Sequence, residues 1–278
     1  MPLTRVSIPD DLAAGFTAGF VAAFPGRSDS GCNSGDAREP LAFLSFAASG
    51  DMRFGDPKCA ANRERFLREA GIEPSRARGL ELKHTRNVVF PAQDDDPAIL
   101  AQAEGGADGL ILDARDDELA ATVTVADCMP IWILDRGSGA FGLLHSGWRG
   151  TGILEAAVRA IVLRFGSQPS SIAVILGPAI GPCCYAVSEE RAAAFSAEFG
   201  DLCVARRGGT SYIDLRSANV SIAERAGIGH VLSIEACSSC DERFGSYRRQ
   251  GAAAFTRMLA VCGRSPRAPD IFTARSVA

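Results

Sequence analysis

Residues Thr122 to Gly152, TVTVADCMPIWILDRGSGAFGLLHSGWRGTG, decide how the chain is read. The segment from Ala121 to Ala126 is an unbroken run of small and β-branched residues that ends on Asp127-Cys128, which reads as a buried strand delivering a thiol at its end. Pro130 has no N–H to give to a ladder, so a break is expected after the cysteine. A second apolar run, Ile131 to Leu134, ends in the turn Asp135-Arg136-Gly137-Ser138-Gly139, and a third, Ala140 to Leu144, brings the chain back and stops at His145. The thiol and the imidazole are therefore expected to finish near each other.

Beyond His145, the glycines Gly147, Gly150 and Gly152 precede Leu154, Val158, Ile161 and Phe165 at helical spacing, with Gly166 as the stop. The order is strand, glycine-rich loop, helix. Backbone N–H groups at the positive end of a helix dipole suit phosphate or another anion, and Arg149 adds a fixed charge there. Alternatively, the glycines serve only to let the helix pack closely on the strand. The spacing GxxGxG is neither the Walker pattern nor the dinucleotide fingerprint.

Three motifs, Ala126-Asp127-Cys128-Met129-Pro130, His145-Ser146-Gly147-Trp148-Arg149-Gly150 and Leu176-Gly177-Pro178-Ala179-Ile180-Gly181-Pro182-Cys183-Cys184-Tyr185, resemble signatures of the bacterial laccase-domain, multicopper-oxidase-like family. Members of that family are described as zinc-dependent purine nucleoside phosphorylases. Further blocks agree in order: Gly55-Asp56-Pro57 with Asn62-Arg63, Ala107-Asp108-Gly109-Leu110-Ile111, Asp214-Leu215 with Ala218-Asn219, and Cys237-Ser238-Ser239-Cys240-Asp241 followed by Arg243-Phe244 and Ser246-Tyr247-Arg248-Arg249. The resemblance spans residues 55 to 262.

Strands and helices alternate while tight turns join neighbouring strands, so the expected class is mixed α/β. The resemblance implies a single domain over residues 1–278, built from two mixed β-sheets face to face with helices outside, in α/β/β/α layers. It also implies that His84, Cys128 and His145 hold one zinc ion and form the catalytic centre. Two neutral imidazoles and a thiolate are suitable zinc ligands, and three protein ligands leave a coordination position open for water or substrate. Their separations match no zinc-finger spacing. The substrate contacts expected beside them are Arg149, Asn62, Arg63 and Arg248. Arg63 would grip phosphate or the sugar, or else be an ordinary arginine on a solvated helix face. Arg248 and Arg249 would line an anion site, or else be solvent-facing helix charge.

This chain departs from the family pattern in two places. Where the family carries a Thr-Arg-Gly-Gly turn and an Asn-Leu-Gly element, it has only Arg27 and Ser45-Phe46-Ala47. Where the family has Gln-Val-His-Gly, it reads Leu82-Lys83-His84-Thr85, which keeps the histidine and changes both neighbours.

Composition narrows the classes. At 47% hydrophobic and 22% charged, the 278 residues have ordinary globular make-up. A net charge of −4 argues against a nucleic-acid or membrane-surface binder and suits a small anionic or neutral substrate; the resemblance implies a purine nucleoside and phosphate as partners, with the oligomeric state left open. Nine cysteines, an odd number that includes the adjacent Cys183-Cys184, do not form a secreted disulfide scaffold and point to a reducing cytoplasm. Asp10 and Asp11 stand where a signal peptide would carry positive charge, and no run approaches the roughly 20 apolar residues of a membrane span.

The remaining elements are expected as follows. Ala61 to Ala70 is a helix starting at Asn62 and Arg63, with Phe66 and Leu67 inward and Gly71 as its stop. Leu80 to Phe90 is a strand with His84 inside it, Asp94 to Glu104 is an acidic surface connection, and Asp108-Gly109 turns the chain into a strand over Leu110 to Leu112. Ser171 to Leu176 is a strand and Gly177 to Tyr185 a stiff loop, in which Cys183-Cys184 reads as buried small hydrophobes rather than reactive thiols. A helix starts at Ser188, a hairpin turns at Gly208-Gly209, Asp214 caps a helix through Ala226, and Val231 to Ala236 is a strand. Cys237 and Cys240 form a single CxxC, half of a zinc-ribbon signal, and read as structural. Cys32 and Cys59 read as incidental thiols, and the chain closes with a helix to Cys262 and a proline-rich tail.

The leading expectation is phosphorolysis of adenosine, inosine or methylthioadenosine to the free base and ribose 1-phosphate, with adenosine deaminase activity also implied by the family. The competing readings are phenol oxidation by Cu2+, which needs more histidines than the three present; a metal-free hydrolase with Cys128 as nucleophile and His145 as base; and a binding protein in which the metal is a staple.

Overall fold

The computed structural model describes residues 1–7, 19–26, 39–91, 106–116 and 118–265. The acidic connection expected at Asp94 to Glu104, the Arg27 and Cys32 positions and the proline-rich tail lie outside the described residues.

Two mixed sheets carry the fold. The larger has seven strands in the order β1 (Leu3–Val6), β14 (His230–Ile234), β10 (Ile172–Leu176), β8 (Met129–Asp135), β9 (Phe141–Ser146), β6 (Gly109–Leu112) and β5 (Val88–Val89). The smaller has five: β2 (Gly19–Ala22), β3 (Leu41–Ser45), β15 (Met258–Gly263), β7 (Ala120–Val125) and β4 (Ala77–Gly79). A further antiparallel sheet of β11 (Ala186–Val187), β13 (Thr210–Ile213) and β12 (Val204–Arg207) adds to the two expected. The helices are α1 (Pro57–Glu69), α2 (Ile153–Phe165), α3 (Glu189–Phe199), α4 (Leu215–Arg225) and the short α5 (Tyr247–Gln250). None is long and apolar enough to cross a membrane.

The layers follow from which side chains alternate to which face. Along β8, Trp132 and Leu134 enter the core between the sheets, where they meet Phe20, Leu44, Val123 and Ala260, while Ile131 and Ile133 face Leu154, Val158 and Ile161 of α2. Both faces are therefore buried, and this is why the run is apolar throughout. On the far side of the smaller sheet, Phe43, Leu259 and Val261 pack against Phe66 and Leu67 of α1. The result is the expected α/β/β/α stack. Trp132 stitches the two sheets polarly as well, its Nε1–H donating to Val261 O at 2.7 Å.

Capping carboxylates or left-handed glycines mark the ends of α1, α2 and α4. Asp56 caps α1 by accepting from Lys58 N and Pro57 occupies the first turn, so the helix begins four residues before the expected Ala61. Gly152 and Gly166 bracket α2, both in the left-handed region, and Asp214 caps α4 through Arg216 N and Ser217 N.

Three expectations are corrected. Pro130 lies inside β8 rather than beyond a break after Cys128; the bend sits at Ala126 to Cys128, and Pro130 O accepts from Gly177 N at 2.9 Å. The stretch from Leu80 to Asn87 is irregular, so His84 is on a loop between β4 and β5 and not within a strand. The segment ending at Cys262 is β15, not a helix: it pairs with β3 on one side and β7 on the other, with all six residues buried. A short apolar run buried on both faces has no period that distinguishes the two.

Candidate metal centre

The chain crosses from the smaller sheet to the larger between β7 and β8, and Cys128 sits at that crossing. The crossing bend puts Asp127 at φ 80, a left-handed conformation that a non-glycine residue adopts only when its surroundings hold it. They do so from three sides. Asp127 Oδ1 accepts from Ser238 Oγ at 2.8 Å, Oδ2 accepts from Arg248 N at 2.7 Å, and its carbonyl accepts from Ile180 N at 2.9 Å. The β8–β9 hairpin then pairs Pro130 with His145, which brings the imidazole back to the thiol.

His84 arrives from the irregular loop, itself at φ 60. One buried carboxylate, Asp108 immediately before β6, organises the loop and His145 together. Its Oδ2 accepts from Lys83 N, Thr85 N and Thr85 Oγ1 at 3.1, 2.7 and 2.9 Å. Its Oδ1 accepts from His84 N and contacts His145 Nδ1, both at 2.9 Å. With Nδ1–H given to Asp108, His145 presents Nε2 to the cysteine. Burial works to raise the Asp108 carboxyl, but the bonds from His145 and Thr85 outweigh it and hold it at about 2. In the sequence Asp108 reads only as the turn into a strand. Its signal is an acid directly before a buried apolar strand, and nothing local says that its partners lie at Lys83 to Thr85 and at His145.

The structure brings His84, Cys128 and His145 together: one ligand atom from each lies within 4.8 Å of the other two, and the two rings stand 4.9 Å apart, edge to face. Burial opposes charge on the Cys128 thiol, yet His145 and His84 together pull it down to about 6. Burial likewise lowers the His145 imidazole, but the Cys128 and Asp108 charges carry it up to about 9. Gly147 leaves the room that this trio needs, because a Cβ there would stand 2.7 Å from Cys128 Sγ and 3.4 Å from His84 Cδ2. Two imidazoles and a polarised thiol, with a missing side chain beside the sulfur, fit a metal ion with three protein ligands.

These three residues lie on the wall of a cavity of about 650 Å³. Its other walls are aromatic, from Phe54, Trp148, Tyr185, Tyr247 and Phe255, and cationic, from Arg53, Arg191, Arg248 and Arg257. Arg191 lies over the Trp148 ring at 4.2 Å and Arg257 over Phe255 at 4.2 Å. Arg257 Nη1 is buried with no hydrogen-bond partner among the described residues, an unsatisfied cationic donor.

Of the expected substrate contacts, Arg248 is on this wall, and Arg149, Asn62 and Arg63 are not. Arg248 spends Nη1 and Nη2 on the carbonyls of Cys184 (2.9 Å) and Ala186 (3.0 Å). Arg149 is exposed, with its guanidinium 5.2 Å from the Trp148 ring. Asn62 and Arg63 lie in the second turn of α1 and reach backward. Asn62 Nδ2 donates to Asp51 O at 3.0 Å, and Arg63 Nη1 donates to Met52 O at 3.3 Å and to Arg53 O. They hold the loop that carries Arg53. Helix spacing places these residues at a helix start but does not say which loop lies behind it, and the wall arginines Arg53, Arg191 and Arg257 belong to no motif singled out in the sequence.

The comparisons with known proteins agree with this architecture. A purine nucleoside phosphorylase of Deinococcus radiodurans is 32% identical over 228 residues, 81% of this chain and 85% of its own length. Purine nucleoside phosphorylase LACC1 of Mus musculus is 28% identical over 262 residues, 90% of this chain but 55% of its own length, so the chain spans about half of that relative. The crystal structure of YlmD from Geobacillus stearothermophilus superposes with a TM-score of 0.73 at 28% identity, covering 84% of this chain and 98% of that one. A family model described as multi-copper polyphenol oxidoreductase laccase matches residues 42–265, and it is to this family that the chain belongs.

Proposed function

We propose that the protein is a zinc-dependent purine nucleoside phosphorylase, acting on adenosine, inosine or methylthioadenosine, with residues 1–278 as one catalytic domain. One observation carries the reading: the three metal donors share a cavity wall with a set of aromatic faces and with Arg257, whose Nη1 is buried with no hydrogen-bond partner among the described residues. The relatives named as purine nucleoside phosphorylases support it. His84, Cys128 and His145 would hold the ion, which supplies Lewis acidity to an oxygen of phosphate or sugar.

The chain's own residues do the rest. In phosphorolysis the bond between the anomeric carbon and the purine nitrogen breaks, its electron pair leaves with the base, and a phosphate oxygen bonds to the anomeric carbon. Such a step needs the anion placed close to that carbon. Arg257 and Arg53 hold phosphate by charge-assisted hydrogen bonds, with Arg63 and Asn62 positioning the loop of Arg53. Tyr247, Phe255 and Tyr185 offer faces on which a flat purine stacks. Asp108 keeps His145 oriented, and Arg248 holds the loop of Tyr185 against the cavity. Arg149, being exposed, acts on the pocket only through Trp148. Adenosine deamination would use the same pocket, and free thiols suit a reducing compartment such as the cytoplasm.

Elemental analysis together with release of free base from inosine, with and without phosphate, tests the proposal. Base release is expected to require phosphate and to fall on chelation. Release that is indifferent to both would sink it. Oxidation of a phenol with stoichiometric Cu2+ would instead favour the copper reading, although the three histidines in the chain are few for coupled copper sites.

A second reading rests on the Asp108–His145–Cys128 line, which is also the geometry of a nucleophilic thiol with its base and an orienting acid. Under that reading activity survives chelation and is lost on alkylation of Cys128.

A further inference from the structure

Four other cysteines meet outside this centre. Cys183 and Cys184 lie in the loop after β10, Cys237 and Cys240 in the loop after β14, and their four Sγ atoms are all within 4.8 Å of one another. The two loops present them in matching turns. Cys184 N and Tyr185 N both donate to Gly181 O at 3.0 and 2.9 Å, and Cys240 N and Asp241 N both donate to Cys237 O at 3.1 and 3.0 Å. A parallel bridge between Ala179 and Cys237 sets the register of one loop against the other.

The spacing of the sulfurs discriminates between explanations. Cys240 Sγ stands 3.5 Å from Cys183 Sγ and 3.3 Å from Cys184 Sγ. A disulfide needs about 2.05 Å. Four sulfurs placed about 2.3 Å from a central zinc ion in a tetrahedron lie about 3.8 Å apart, the scale seen here. Gly181 N donates to Cys237 Sγ at 3.2 Å, the kind of backbone bond that stabilises a ligating sulfur. The expectation that Cys183-Cys184 are buried small hydrophobes holds only in part: Cys183 is exposed, as is Cys240, while Cys184 and Cys237 are half-covered and pack against the core beneath α2 and α4.

We propose that Cys183, Cys184, Cys237 and Cys240 bind a second metal ion, a structural Zn2+ in a closed four-sulfur site separate from the three-ligand centre. Four protein ligands leave no position open for substrate, so the ion is a clamp. It ties the loop bearing Ile180 and Tyr185, both on the cavity wall, to the loop bearing Ser238, whose hydroxyl holds Asp127 next to Cys128. The clamp thereby steadies two of the three contacts that hold the Asp127 backbone, Ile180 N on its carbonyl and Ser238 Oγ on its carboxylate. The inference stands independently of the phosphorylase reading.

The test uses full-length protein purified in reducing buffer from zinc-supplemented medium. Zinc content is expected at about two equivalents per chain in the wild type, and about one in both Cys128→Ala and the double variant Cys183→Ser/Cys240→Ser. Because the two substituted sulfurs are exposed, the double variant should fold; if it does not, Cys128→Ala decides alone. Stripped Cys128→Ala protein titrated with Co2+ should show the intense sulfur-to-metal charge-transfer absorption of a four-thiolate site. The proposal is overturned if Cys128→Ala holds neither Zn2+ nor Co2+, if the double variant keeps the wild-type zinc content, or if intact mass shows these cysteines oxidised to disulfides in the reduced preparation.

Discussion

Asp108→Asn is the perturbation that reaches furthest into the candidate metal centre without replacing one of its three donors. The carboxylate takes three donors on Oδ2, from Lys83 N, Thr85 N and Thr85 Oγ1, and two on Oδ1, from His84 N and His145 Nδ1. An amide has a single acceptor oxygen. Whichever way the introduced amide turns, its NH2 group confronts at least two of those donors in a site where Asp108 has no exposure. A hydrogen bond to a charged group is worth about 1.5–3 kcal/mol, so two lost bonds cost about 3–6 kcal/mol. In a chain of this size each kcal/mol lowers the melting midpoint by about 2–4 °C, so calorimetry should show a fall of roughly 6–24 °C. Because the same carboxylate orients His145, then, if the centre holds zinc as proposed, zinc affinity measured by competition with a chelator should drop about 10- to 100-fold. Wild-type midpoint and wild-type zinc affinity in Asp108→Asn would refute the assignment of Asp108 as the residue that organises both histidines.

Gly147→Ala puts a Cβ 2.7 Å from Cys128 Sγ, so the variant should lose bound metal at the three-ligand centre while circular dichroism shows an intact fold; full occupancy would contradict the crowding. Trp132→Phe removes the bond to Val261 O between the sheets and should lower stability by about 1–3 kcal/mol in urea titration. Burial raises the Asp135 carboxyl, but bonds from Ser138, Ser167, Ser171 and Gly137 outweigh it and leave the pKa below its ordinary value. A depressed folded pKa means that its contribution is present above the unfolded value of about 4 and is lost as the pH falls below it, so Asp135→Asn should flatten the urea midpoint in that acid range. If Arg257 holds phosphate, Arg257→Gln should raise the KM for phosphate about 10-fold or more and leave the KM for nucleoside nearly unchanged in initial-rate assays.

Much of the centre is local and therefore legible in the sequence. The two apolar runs that become β8 and β9, joined by the Asp135 to Gly139 turn, predict that Cys128 and His145 end near each other, because a short turn folds one strand back along the other. The helix after the glycine loop is equally local, its apolar spacing and two bracketing glycines being written within a few residues. His84 reads as a strand residue in the sequence and is not one, because its left-handed backbone is imposed by Asp108, whose bonds to it span more than twenty positions of chain. β15 reads as a helix because six residues buried on both faces carry no alternation, and only pairing with β3 and β7 selects the extended form.

The cysteine cluster and the cavity arginines mark the same boundary from the other side. Cys183 and Cys184 form half of a possible ligand set, Cys237 and Cys240 the other half, and neither turn refers to its counterpart until β10 and β14 run parallel and carry both loops to one end of the sheet. Arg257 lies just before β15 and resembles any solvated arginine until folding buries its Nη1 with no hydrogen-bond partner among the described residues. Residue type and short-range period therefore settle what most segments are, since those preferences act within a few bonds. Which distant segments share a site is settled by the stacking of sheets, since burial and long-range hydrogen bonds act only once the chain has closed on itself.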